Sequence, residues 1–187
     1  MLVLDRTAEL LDKVAGVKTL DGDIPVYDKA RVEIMQFNPA DLHPTAKYIL
    51  SDHLQFVINL RRKLSLELFS LDYLYQDDLY LIAPPIVEFM DGVPAIVDGL
   101  HRCSLALMLG MQITAIFVVG ANPEIPFISY PVTWIDVVEY QHKPETPYLL
   151  RSLRKGIADE SSILRKHYRD FSALGSFGRR PRSVQDG

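Results

Sequence analysis

The chain has a single cysteine, Cys103, in 187 residues. That excludes an internal disulfide and any zinc site built from several cysteines. No apolar run approaches the roughly 18 residues of a membrane-spanning helix. The start, Met1–Arg6, lacks the basic region and long apolar stretch of a secretory signal, so a cytoplasmic protein is the expectation. Basic excess is missing too. The net charge of −4 argues against a surface that binds duplex nucleic acid as a whole. Internal repeats, low-complexity stretches and a carboxylate cluster of the kind a metal-dependent nuclease needs are all lacking. What remains is 48% hydrophobic and 24% charged, the balance of a soluble chain long enough for one sizeable core.

Along that chain, Leu4, Ala8, Leu11 and Ala15 followed by Gly16 outline a short amphipathic helix. Asp21-Gly22 and Pro25 punctuate a loop or hairpin over Thr19–Asp28. Alternation over Arg31–Phe37 predicts a strand. Tyr48, Ile49, His53, Phe56, Val57 and Leu60 recur at helical spacing, which predicts a helix over Thr45–Lys63 with Thr45 as its cap. Leu64–Tyr80 is ambiguous. Ile86–Met90 and Ala95–Val97 read as strands joined by a tight turn at Asp91-Gly92. His101–Leu109 reads as a helix closed by Gly110, and Ile113–Val119 as a strand buried on both faces. The expected fold class is α+β, a small mixed sheet with packed helices. Residues 1–30 form an N-terminal helix and loop, 31–120 the core, and 121–187 a proline-interrupted, partly helical basic extension.

The densest chemistry lies at the end of the second hairpin strand, Asp98-Gly99-Leu100-His101-Arg102-Cys103. Gly99 permits a sharp bend and close approach of a ligand. The helix beginning near Leu100 directs unpaired N–H groups and its positive dipole end at the turn, favouring an anion. Arg102 offers a planar, permanently charged fork, and His101 a donor or a general acid–base group. Asp98 can hold a metal ion or orient His101. The expected phosphate-binding set is therefore Gly99, Leu100, His101, Arg102 and the backbone of Cys103. His101 and Asp98 are the catalytic candidates, and Asp98 the metal ligand. His43, Thr45 and Glu88 are candidate additions to the pocket.

These residues resemble a known family. Pro84-Pro85-Ile-Val, a hairpin, Ile96-Val-Asp-Gly-Leu-His-Arg102, a helix closing at Gly110 and the strand Ile113–Val119 are similar to the ParB/sulfiredoxin-like superfamily. The resemblance covers about residues 31–120. It implies a site for the phosphates of ATP, ADP or CTP, with Mg²⁺, at the start of the helix. The sulfiredoxin branch places its reactive cysteine where Leu100 stands, and Cys103 lies instead on the helix as a small core residue. Chromosome-partitioning members carry a Gly-Glu-Arg-Arg motif and a following helix-turn-helix, neither of which is seen here. The free-serine kinases carry Asp-Gly-His-His-Arg, which Asp98, Gly99, His101 and Arg102 match. Their activating glutamate has no counterpart in Asp41–Lys47, where Asp41 or His43 can take its place.

Together the motif and the resemblance lead to a nucleotide-dependent phosphotransferase acting on a small hydroxylated substrate. The alternative is a non-catalytic CTP- or ATP-binding switch or DNA-associated regulator. The basic residues Arg151, Arg154, Lys155, Arg165, Lys166 and Arg169 are expected on a solvated helical face. Nucleic acid is the less favoured partner, since no aromatic stacking platform accompanies them.

Overall fold

The apolar run Ile113–Val119 becomes the strand β6, and the main sheet is assembled around it. The structure, a computed structural model, describes residues 7–21, 24–64 and 83–174. In chain order these contain helix α1 (Thr7–Ala15), strands β1 (Arg31–Phe37), β2 (His43–Pro44) and β3 (Tyr48–Leu50), and helix α2 (Ser51–Leu64). Strands β4 (Ile86–Met90) and β5 (Val93–Asp98), helix α3 (Leu100–Met108) and β6 follow. Strand β7 (Val138–Tyr140) and two short helices, α4 (Pro147–Leu150) and α5 (Ser161–Arg165), lie in the last third. The five-stranded sheet has the order β1-β6-β4-β5-β2, and β3 with β7 forms a separate parallel pair. Antiparallel pairing joins β1 to β6 and β4 to β5, whereas β4–β6 and β2–β5 run parallel. The fold is thus α+β with a small mixed sheet, as expected.

Strand alternation sorts the apolar residues onto two faces. Val87, Ile96, Ile113 and Ala115 meet Cys103, Leu105 and Ala106 of α3 and Leu54 and Val57 of α2. Ile86, Ile116 and Val118 face the other way, against Leu10 and Val14 of α1 and Phe171 and Leu174 near the end of the described chain. Helix α1 buries Leu10 and Val14 fully, while Leu11 of the expected stripe packs beside them half-buried and Ala8 is exposed. Leu4 lies outside the described residues, as do almost all of Leu64–Tyr80 and the segment from Gly175.

Between β4 and β5 the chain reverses at Asp91 (φ 51) and Gly92 (φ 82), both in the left-handed region that a primed two-residue turn demands. Asp91 accepts this φ while Arg154 grips its carboxylate, with one nitrogen 3.1 Å from Oδ1. The same guanidinium stacks over Tyr130 and donates to the Phe127 carbonyl.

Two expectations about secondary structure are corrected. The helix expected from Thr45 begins at Ser51, because residues 43–50 are held as two short strands flanking a bend by partners far away in sequence. Val132 N–H donates to Pro44, Val138 N–H to Lys47, and Lys47 N–H to Leu150. Thr45 caps nothing; its hydroxyl donates to the Ile96 carbonyl at 2.6 Å. Between Tyr148 and Leu174 the chain is not the continuous basic helix expected: the short helices α4 and α5 are separated by irregular backbone. It laces across the core through the bridges Ser129–Leu153 and Thr19–Arg169.

The expected basic face is not what its arginines make either. Arg165 pairs with Asp21, Arg154 with Asp91, and Arg151 lies over the Tyr168 ring. Arg169 is fully buried and forms a two-point ion pair with Glu88, its Nη2 2.9 Å from Oε1 and its Nε 3.2 Å from Oε2. Tyr27 donates to the same carboxylate at 2.9 Å. Burial alone would lower the Arg169 pKa, but Glu88 and Tyr27 outweigh it and hold it above the ordinary value.

Candidate functional site

Strand β5 ends at Asp98, and Gly99 turns the chain into α3 with φ 85 and ψ 23. A side chain cannot stand there. A Cβ would lie 2.8 Å from Pro85 Cβ, 3.0 Å from Pro85 Cα and 2.9 Å from a guanidinium nitrogen of Arg102. Glycine is thus needed for its left-handed φ, the sharp bend expected there, and because a Cβ would collide with Pro85 and Arg102.

Arg102 is likewise turned inward. One nitrogen donates to the Ala83 carbonyl and another lies 3.6 Å from the Asp98 carboxylate, leaving the side chain 12% exposed. Burial lowers its pKa, and Asp98 opposes that shift. The fork ties the turn to the segment entering β4 and is not presented to solvent as a phosphate clamp. Asp98 is correspondingly committed to Arg102. Among the described residues no three His, Cys, Asp or Glu side chains gather into a group that could hold a metal ion.

The amides divide in the same way. Arg102 and Cys103 both donate to the Gly99 carbonyl, at 3.0 and 3.1 Å. The N–H groups of Leu100 and His101, the first two helical residues, have no carbonyl one turn earlier in α3. The Arg102 and Cys103 amides are used within the turn itself. The Cys103 thiol is buried in the core, and burial pushes it up to about 12, which keeps it protonated at neutral pH.

His101 is the side chain that departs furthest from expectation. Its Nε2 accepts the Leu50 N–H at 3.0 Å, and its ring meets His53 edge to face at a centroid distance of 5.1 Å. An amide can only donate, so Nε2 carries no proton and the neutral ring holds its proton on Nδ1. Burial, then His53, then Arg102 lower its pKa to about 4. At neutral pH the ring is uncharged and its basic nitrogen is occupied, the opposite of a poised acid–base catalyst. Leu50 directly precedes α2, so the contact brings the starts of α2 and α3 together. Nothing in the spacing of Leu50, His53 and His101 announces this joint, because the Leu50 partner is a backbone amide.

The other expected pocket residues lie elsewhere. Glu88 points to the opposite sheet face, into its ion pair with Arg169. Thr45 is a buried tie to β5. His43 opens into a cleft of about 450 Å³ with Asp91, Val93, Tyr130, Val132 and Asp136, at the hairpin end of β5 and away from the turn. Asp41, exposed, ends a 3-10 turn whose first residue, Pro39, is buried.

A mixed sheet whose hairpin strand runs through Asp-Gly into a helix start defines an α+β protein of the ParB-like class. A family model for the ParB CE domain matches residues 9–138, and the chain belongs to that family. No curated protein and no solved structure matches. The match begins within α1 and runs into β7, beyond both ends of the stretch that carried the resemblance in sequence. No helix among the described residues is long and apolar enough to cross a membrane.

Proposed function

We propose that this protein is a nucleotide-binding module of the ParB type that works as a switch, with the phosphates held where α2 and α3 begin. The observation that carries the reading is the meeting of two helix starts at Leu50–His53 and Leu100–Arg102, in a fold that belongs to this family. Each start contributes amides outside its helical ladder and a positive dipole end. Nucleotide is preferred to nucleic acid because Arg151, Arg154, Arg165 and Arg169 are engaged within the protein. Binding is preferred to phosphoryl transfer for a similar reason. The basic nitrogen of His101 is occupied, Asp98 is paired with Arg102, and His43 faces another cleft. The kinase-like form of the turn, Asp98-Gly99-Leu100-His101-Arg102, is the feature that speaks for transfer.

A thermal-shift panel of ATP, ADP, CTP and GTP, with and without Mg²⁺, tests this. At a concentration 100-fold above Kd, a ligand of the native state adds about 2.7 kcal/mol, or a midpoint rise of roughly 5–10 °C for a chain of this size. The expected result is a rise with a triphosphate, competition by tripolyphosphate, and no phosphate released or transferred. The absence of any response to the four nucleotides or tripolyphosphate overturns the binding reading. Transfer to serine or a similar hydroxyl acceptor restores the kinase.

A further inference from the structure

We propose that His101 is a positioning residue: its imidazole caps the backbone at the start of α2, clamps that start against α3, and releases it on acidification. An amide preceding a helix lies outside the helical ladder and needs an acceptor. Here the acceptor comes from a neighbouring helix, not from an N-cap side chain of α2 itself. The His53 ring, in the first turn of α2, closes the contact from the side. A protonated imidazole has two donors and no acceptor, so it cannot keep the Leu50 bond.

The charges around the ring oppose protonation. Arg102 on α3 and His53 on α2 add positive potential, and both helix starts present positive dipole ends. Asp98 has its carboxylate drawn to Arg102, and Asp52 of α2 and Asp41 of the 3-10 turn are exposed. Tyr48 of β3 is half-buried, and the Cys103 thiol stays protonated. The fold therefore favours the neutral ring and lowers its pKa to about 4, below the unfolded value near 6.5. The stabilisation is complete above about pH 6.5 and is lost as pH falls from there towards 4. The bearing of this clamp on ligand binding rests on the function proposed above; the clamp itself does not.

The test is amide hydrogen exchange of Leu50, corrected for the intrinsic rate, in the full chain and in the variants His101→Gln and His101→Ala. A glutamine oxygen can reach the place of Nε2 and does not titrate in this range. Between pH 7 and 4.5 the wild-type Leu50 protection should fall by a factor on the order of tens. His101→Ala should lose that protection already at pH 7, and His101→Gln should keep it at both pH values. PH-independent protection in the wild type overturns the clamp, as does a glutamine variant no better than alanine. Tripolyphosphate is the ligand probe: weakened by His101→Ala and rescued by His101→Gln, it supports positioning. Weakened equally by both while Leu50 stays protected in the glutamine variant, it makes the ring a direct phosphate contact and overturns the positioning role. If tripolyphosphate does not bind the wild type at pH 7, the phosphate site falls while the exchange result still decides the clamp.

Discussion

Arg169→Met should destabilise the protein by about 3–5 kcal/mol, the usual consequence of leaving one member of a buried ion pair without the other. Glu88 would then sit 4% exposed with the Tyr27 hydroxyl as its remaining donor in that cluster. Two backbone carbonyls, Ile125 and His167, would lose a donor as well, since Arg169 Nη1 now serves both at 3.0 Å. Urea denaturation measures the effect. The double variant Glu88→Met/Arg169→Met should recover much of the loss, because replacing both charges removes the unpaired anion. If the single variant costs under about 1 kcal/mol, the pair is not sealed from water and the second core is looser than described.

The second large effect should come from Gly99→Ala. The left-handed backbone disfavours any Cβ by about 1–2 kcal/mol, and contact with Pro85 and Arg102 adds roughly 1–3 kcal/mol of overpacking. Pro85 Cα is backbone and cannot swing aside, so the whole turn must shift. Gly92→Ala is the matched control: its φ of 82 is similar, and nothing lies within 4 Å of the added carbon. A loss of roughly 2–5 kcal/mol at 99 against about 1–2 kcal/mol at 92 is expected in urea melts. Equal losses would mean that the packing over Gly99 contributes little.

Those two residues also mark what was legible from sequence. The strands β1, β4 and β6, the turn at Asp91-Gly92 and the start of α3 follow from local alternation and from glycine. Their signals lie within the segments they describe. The conformation of residues 43–50 depends on residues 132–150, so local pattern does not reveal it. A strand held by Val132, Val138 and Leu150 carries little trace of them in its own composition. At the turn, residue types pointed to the right corner but not to the direction each side chain takes. Arg102 and a solvent-facing phosphate clamp read identically in sequence; the Ala83 carbonyl and Asp98 decide between them. Glu88 looked like a pocket residue because its partner, 81 positions later, lay in what read as a solvated helix.

That separation has a consequence during synthesis. A ribosome that adds about 5–20 residues per second leaves the Glu88 carboxylate waiting roughly 4–16 s for its arginine. The nascent chain cannot close its second apolar layer until Phe171 and Leu174 have emerged. Once Val118 has been added, and until Phe171 and Leu174 follow, Ile86, Ile116 and Val118 offer a sticky surface that a chaperone could hold. Messages broken before codon 169 should yield products that are degraded instead of accumulating.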